Sequence, residues 1–316
     1  MKITVLDAQT LGEDLSLEPL KALGETIVYN TSPDSLVSER IKDCDIIITN
    51  KIKLNERNLT SAKKLKLICI AATGYDNIDI PYCKNRNIAV CNVKGYSTHS
   101  VAQLTLSMAL SLATHLSEYS DYVNSGAYTE SGVANCLTPV YHELFGKTWG
   151  VIGLGNIGKQ VAKVAEAIGC KVIACKKRPD PNYECVDIDT LMRKSDIISV
   201  HTPLNDETRL LIDEKRILSM KKTAIFINVS RGAVTDEEAL AKAALEGRIG
   251  GLGIDVYTKE PFSKNHPFYK ILSLQNVCLT PHMAWGAYEA RVRCLKEIIE
   301  NIEAYFNNII RNRVDL

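Results

Sequence analysis

The sequence predicts an α/β fold of two doubly wound parallel-sheet domains. Three observations lead there: short apolar runs alternate with polar, helix-prone segments from residue 1 to about 95, the alternation restarts after Gly146, and a long apolar helix separates the two stretches. A length of 316 residues agrees, because it exceeds what one core usually fills and suits two domains of ordinary size.

In the first stretch Ile3 to Leu6, Thr26 to Tyr29, Asp45 to Ile48, Leu67 to Ala71 and Ile88 to Cys91 read as strands of one parallel layer. Ser32-Pro33 offers an N-cap with proline at the first helical position, and Gly24 stands where a helix would stop. From Thr98 to Tyr122 the apolar spacing fits one long buried helix bridging the domains, and 124 to 145, with Gly126, Gly132 and Pro139, reads as a connecting arm. Beyond Gly146 the strands are Trp149 to Ile152, Val172 to Cys175, Ile197 to His201, Ala224 to Asn228, Leu252 to Val256 and Val277 to Thr280. The segment Tyr288 to Asn308 is helical by pattern.

Composition narrows the partners. With 46% hydrophobic and 24% charged residues the chain is ordinary for a globular protein, and a net charge of +1 gives no reason to expect nucleic acid or an anionic membrane. A small molecule is the expected partner. Met1-Lys2 leads directly into an apolar strand, and no apolar run approaches the ~20 residues of a membrane helix. The ten cysteines never form C-x-x-C, so reduced thiols in a cytoplasmic protein are expected and no metal site is.

Gly153-Leu154-Gly155-Asn156-Ile157-Gly158 follows an apolar strand and opens a helix, the context in which G-x-G-x-x-G is a pyrophosphate loop. The first glycine permits the turn, the second lets backbone N–H groups approach the anion, and the third lets helix pack on strand, with the helix dipole favouring negative charge. At the end of the next strand, where a carboxylate would bind the ribose hydroxyls of NAD, stand Lys176, Lys177 and Arg178. On charge this favours NADP(H); a solvated basic turn that accepts NAD(H) is the alternative.

Three polar residues lie at or just past strand ends, the edge where open α/β sheets bind ligands: Arg231, Glu260 and His282. A guanidinium there binds a carboxylate or keto oxygen in two-point fashion. Reducing a ketone needs a proton donor beside the new alkoxide, which imidazole provides near neutrality, and a neighbouring carboxylate supports it. Asp255 is a second carboxylate, placed to anchor a nicotinamide amide.

Seven segments in order then carry a resemblance. They are Ala72 to Asp79, Gly95 to Gln103, Gly153 to Gly158, His201-Thr202-Pro203-Leu204, Asn228-Val229-Ser230-Arg231-Gly232, Asp255 to Pro261, and Pro281-His282-Met283-Ala284-Trp285. The chain resembles the D-2-hydroxyacid dehydrogenase family across nearly its whole length, most closely its hydroxypyruvate reductase or glycerate dehydrogenase branch. The resemblance implies a Rossmann-type cofactor domain, 98 to 285, inserted into a flavodoxin-like substrate domain formed by 1 to 97 and a returning helix, 286 to 316. It implies that Arg231 binds the substrate carboxylate and carbonyl, His282 is the acid/base and Glu260 orients it, with backbone N–H groups of Thr73 and Gly74 on the carboxylate. Cofactor contacts fall on Thr105, Gly155, Asn156, Ile157, Lys176, His201, Thr202, Pro203, Val229, Ser230, Asp255 and Ala284. Lys176 departs from the family's usual acidic residue.

The activity implied is reversible reduction of a small 2-keto acid to the D-2-hydroxy acid, by a homodimer. Trp285, directly after the acid/base, would narrow the pocket toward short acids or serve in packing. Two rivals stand beside it: an NAD(H)-sensing interaction protein of the same fold, and formate oxidation, against which Pro281 stands where that pattern has glutamine beside the histidine.

Overall fold

The computed structural model describes every residue from 1 to 316, and the chain divides into two compact units, one of Met1–Ser97 with Gly286–Leu316 and one of Thr98–Trp285. No helix is long and apolar enough to cross a membrane.

The first unit carries β1 (Lys2–Val5), β2 (Glu25–Val28), α1 (Asp34–Arg40), β3 (Ile46–Thr49), α2 (Glu56–Leu59), β4 (Leu67–Ile70), α3 (Ile80–Asn85) and β5 (Ala89–Cys91). All five strands are parallel in the order β2-β1-β3-β4-β5, the flavodoxin-like arrangement. Every residue of β3 and β4 is buried, which explains why IIIT and LICI are almost unbroken apolar runs: a parallel sheet covered on both faces favours apolar side chains at successive positions. Two expected details fall differently. Ser32 does not cap α1; its hydroxyl donates to the Leu6 carbonyl at 2.5 Å and accepts from Arg40, and Pro33 becomes the capping position. Gly24 follows a short 3-10 turn, Glu18–Ala22, because Pro19 and a span of only five residues give no room for an α-helix.

The second unit carries α4 (Thr98–Thr114), α5 (Leu116–Asn124), α6 (Ala127–Ser131), β6 (Thr148–Ile152), α7 (Asn156–Ala167), β7 (Lys171–Cys175), β8 (Glu184–Cys185), α8 (Ile188–Lys194), β9 (Ile197–Val200), α9 (Glu214–Ser219), β10 (Ile225–Asn228), α10 (Glu237–Leu245), β11 (Gly251–Ile254) and β12 (Val277–Leu279). Its seven parallel strands run β12-β11-β10-β9-β6-β7-β8, a Rossmann-type sheet whose order reverses between β6 and β9. One face is covered by a cluster around Phe226, Leu240 and Phe268, the other by a cluster around Trp149, Met108 and Val161 from β6, α4 and α7. The indole N–H of Trp149, fully buried, donates to Ser199 Oγ at 2.9 Å, which satisfies the one polar atom that so large a core residue brings with it.

The single helix expected from Thr98 to Tyr122 is broken at His115, which takes a left-handed conformation, φ 52°, with its ring 2.7 Å from Glu118. Apolar spacing continues across the break, so periodicity alone could not reveal it. The two-residue strand β8 was also unforeseen; Glu-Cys is too short to carry a pattern. The closing helix, α11 (Tyr288–Phe306), belongs to the first unit, where Asn301 Nδ2 donates to the Asn92 carbonyl and Arg293 Nε to the Tyr96 carbonyl, each at 3.0 Å. All ten cysteines are free thiols.

Candidate active site

The glycine loop joins β6 to α7 at the point where strand order reverses. Gly153 has φ 92°, and a Cβ there would lie 2.7 Å from the Thr202 backbone nitrogen; at Gly158 it would lie 2.2 Å from the Gly153 carbonyl oxygen. These two positions exclude any other residue by contact with backbone. At Gly155 a Cβ would meet nothing within 4 Å, so the protein itself does not demand glycine there. What does is the open space over the helix end, where α7 begins at Asn156 with no side-chain cap, while Asp187, Asp213 and Asp236 cap α8, α9 and α10. Uncapped N–H groups facing a cleared space fit a pyrophosphate.

The basic turn after β7 is less one-sided than a count of its cations suggests. Asp180 is almost wholly buried and lies 2.7 Å from Lys159 Nζ and 3.8 Å from Lys176 Nζ. The Lys159 ammonium holds its carboxyl below the usual range. Lys177 pairs with Glu207 at 2.8 Å. Of the three cations expected to serve a 2′-phosphate, Lys177 is committed to a carboxylate, Lys176 is loosely held, and Arg178 is exposed.

Arg231, Glu260 and His282, the three residues expected at the reacting centre, follow β10, β11 and β12, adjacent strands of the sheet. Asn228, fully buried at the end of β10, shapes the first turn: its Oδ1 accepts from Ser230 N and its Nδ2 donates to the Arg231 carbonyl, both at 3.0 Å. Arg231 emerges from that turn, its Nη1 donating to the Ser230 carbonyl. The next residue, Gly232, abuts the segment after β11 so closely that a Cβ would stand 2.2 Å from Thr258 N and from the Tyr257 carbonyl carbon. Tyr257 N donates to Glu260 Oε1 at 3.0 Å, and Glu260 Oε2 lies 2.7 Å from His282 Nδ1. A continuous path of contacts thus joins Arg231, Glu260 and His282. With Nδ1 donating to the carboxylate, exchange of a proton by this ring falls to Nε2.

His282 adopts φ 53°, a conformation that costs a non-glycine residue about 1–3 kcal/mol and persists only where its surroundings enforce it. Asp255 enforces it. Fully buried, it accepts from Thr280 Oγ1 at 2.6 Å, Met283 N at 2.8 Å and Ala284 N at 3.0 Å, clamping the turn on both sides of His282. Burial raises its carboxyl above the ordinary range, against the lowering effect of those donors. Its oxygens thus build the turn that carries His282.

Other expected contacts are placed as follows. Thr105 is buried and its hydroxyl is given to the Val101 carbonyl at 2.8 Å. Trp285 packs on the core beside Ala284, its indole donating to the His282 carbonyl at 3.0 Å. Val229 is buried, Pro203 accepts from Thr208 Oγ1, and Ala284 accepts from Ser100 Oγ. In the first unit, Thr73 and Gly74 follow β4, with Thr73 Oγ1 donating to the Val93 carbonyl at 2.7 Å.

The glycine loop at the sheet's reversal point defines a dinucleotide-binding α/β protein. Residues 106–284 match the family described as D-isomer specific 2-hydroxyacid dehydrogenase, NAD binding domain. A hydroxypyruvate reductase of Blautia hydrogenotrophica is 34% identical over 96% of this chain and 97% of that protein. An acyclic imino acid reductase solved with NADPH and D-Arg superposes with TM-score 0.88 at 33% identity, covering 99% of this chain and 100% of that one. A D-lactate dehydrogenase from Aquifex aeolicus, solved with NAD and lactic acid, does so at 0.88 and 30%, covering 100% and 99%. The chain belongs to the D-isomer specific 2-hydroxyacid dehydrogenase family.

One site residue has a measurable signature without substrate. Both ring nitrogens of His201, just past β9, are buried without a hydrogen-bond partner, and burial pushes its pKa down to about 3. The unfolded chain, with an ordinary histidine near 6.5, takes up this proton first as pH falls, so the folded state loses stability between about 6.5 and 3. In urea unfolding of the cofactor-free protein, His201→Asn should flatten this part of the pH–stability curve; an unaltered curve would mean the ring is not held neutral.

Proposed function

We propose that this protein reduces a small 2-keto acid of the hydroxypyruvate or glyoxylate type to the D-2-hydroxy acid, reversibly, with NADP(H) favoured and NAD(H) as the alternative. The observation that carries this is the contact path from the Arg231 turn through Tyr257–Thr258 and Glu260 to His282, beside the glycine loop's sheet. A dihydronicotinamide bound at the second unit supplies the hydride for C2. Arg231 holds the carboxylate and draws charge from the ketone oxygen. His282, steadied at Nδ1 by Glu260, gives the oxygen its proton from Nε2 and takes it back in the oxidative direction. A non-catalytic sensor has no use for the Glu260–His282 pair and is not favoured.

The coenzyme preference rests on Lys176 and Arg178, which stand where NAD-specific sites place an acid. The NADPH complex of one relative supports it, and the NAD complex of another keeps NAD(H) as the alternative.

Steady-state assays crossing NADPH and NADH with glyoxylate, hydroxypyruvate and pyruvate test the proposal. Turnover is expected with the short keto acids and more efficiently with NADPH; Arg231→Ala should lower kcat/KM about 100- to 1,000-fold with coenzyme affinity unchanged. Absence of turnover with every acid, or full activity in the variant, would defeat it.

The arm supports a second copy of this chain as partner. Leu137, Val140 and Phe145 are 72%, 71% and 78% exposed, a run of apolar side chains too large for an ordinary solvated loop. Sedimentation should show a dimer that Leu137→Asp with Val140→Asp converts to monomer; a monomeric wild-type protein would refute this.

A further inference from the structure

The second unit holds another carboxylate–imidazole pair, apart from Glu260 and His282. Glu237 opens α10 and His266 precedes the 3-10 turn Pro267–Ile271; each side chain is only 10% exposed, and Glu237 Oε2 lies 3.1 Å from His266 Nε2. The ring's other nitrogen, Nδ1, accepts the Phe268 N–H at 3.2 Å. An amide N–H can only donate, so Nδ1 carries no proton and Nε2–H is the donor to Glu237. Phe262 and Phe268 pack against the ring with centroids at 5.0 and 5.1 Å, and Tyr257 meets it edge-on at 6.2 Å. His266 thus has one orientation and one tautomer, and it fixes Glu237.

The free oxygen of Glu237, Oε1, accepts the Thr258 N–H at 2.8 Å. That peptide is where the two reacting turns meet. Gly232, next to Arg231, abuts Tyr257 and Thr258, and Tyr257 N holds Glu260 Oε1. Asp236 already caps α10 through Ala239 N at 3.0 Å, so Glu237 is not needed as its cap.

We propose that Glu237, oriented by His266, is a positioning residue: by holding the Tyr257–Thr258 peptide it sets the Arg231 turn and the Glu260 carboxylate together. This rests on the roles assigned above to Arg231, Glu260 and His282. A misplacement of about 1 Å at such a hub costs up to about 100-fold in rate without touching cofactor binding.

The test is kcat for the best short keto acid, with NADPH affinity by fluorescence titration, in the full-length wild type, Glu237→Ala, Glu237→Gln and His266→Asn. Glu237→Ala should lose about 10- to 100-fold in kcat at unchanged NADPH affinity. Glu237→Gln, whose carbonyl still accepts from Thr258, should recover part of that loss. His266→Asn keeps an oxygen to accept from Phe268, but its shorter amide lacks the Nε2–H that orients Glu237, so its kcat should fall as well. Wild-type kcat in Glu237→Ala, or no recovery in Glu237→Gln, overturns the proposal. If Glu237→Ala does not fold, wild-type kcat in His266→Asn does so. A wild-type protein that turns over no keto acid defeats the functional proposal itself, an outcome distinct from turnover that the variants retain.

Discussion

One carboxylate ties the candidate site together. Glu260 accepts the Tyr257 N–H with one oxygen and meets His282 Nδ1 at 2.7 Å with the other, so a backbone position fixed by the sheet is transmitted to a ring at the end of a neighbouring strand. A charge-assisted bond of this kind is short and directional, which settles the ring's tautomer as well as its place. It holds in place a ring that stands on a turn of left-handed backbone.

The remaining polar residues of the region serve that arrangement. Asp255 accepts a penalty of burial in order to clamp the N–H groups of Met283 and Ala284, and this offsets the left-handed backbone of His282. Asn228 does the same for the Arg231 turn with an uncharged amide. Because β12, β11 and β10 are neighbours in one parallel sheet, residues some fifty positions apart in sequence leave it at the same edge. The doubly wound fold supplies convergence, and buried hydrogen bonds supply aim.

Much of this was legible in the sequence. Strands buried on both faces declare themselves as apolar runs, and a glycine loop between strand and helix has one common use, so both sheets and the residues Gly153 to Gly158 are legible in the sequence. Arg231, Glu260 and His282 were legible as polar residues after strands. What lay hidden was tertiary. The break at His115 depends on one backbone angle, and the Ser32 hydroxyl goes to Leu6, 26 residues away. Asp180 tempers the basic turn only because the chain folds it against Lys159. The clamp of Asp255 on the His282 turn could not be read from its position after a strand, and Glu237 and His266 carried no sequence mark at all, since their meaning lies in which amides they touch.

The most direct test is the proton on His282 Nδ1. In nitrogen-15-labelled protein at neutral pH, a downfield, exchange-protected ring N–H should be seen, and it should vanish in Glu260→Ala while the backbone spectrum stays folded. A ring protonated only at Nε2, or a resonance indifferent to Glu260, would contradict the account.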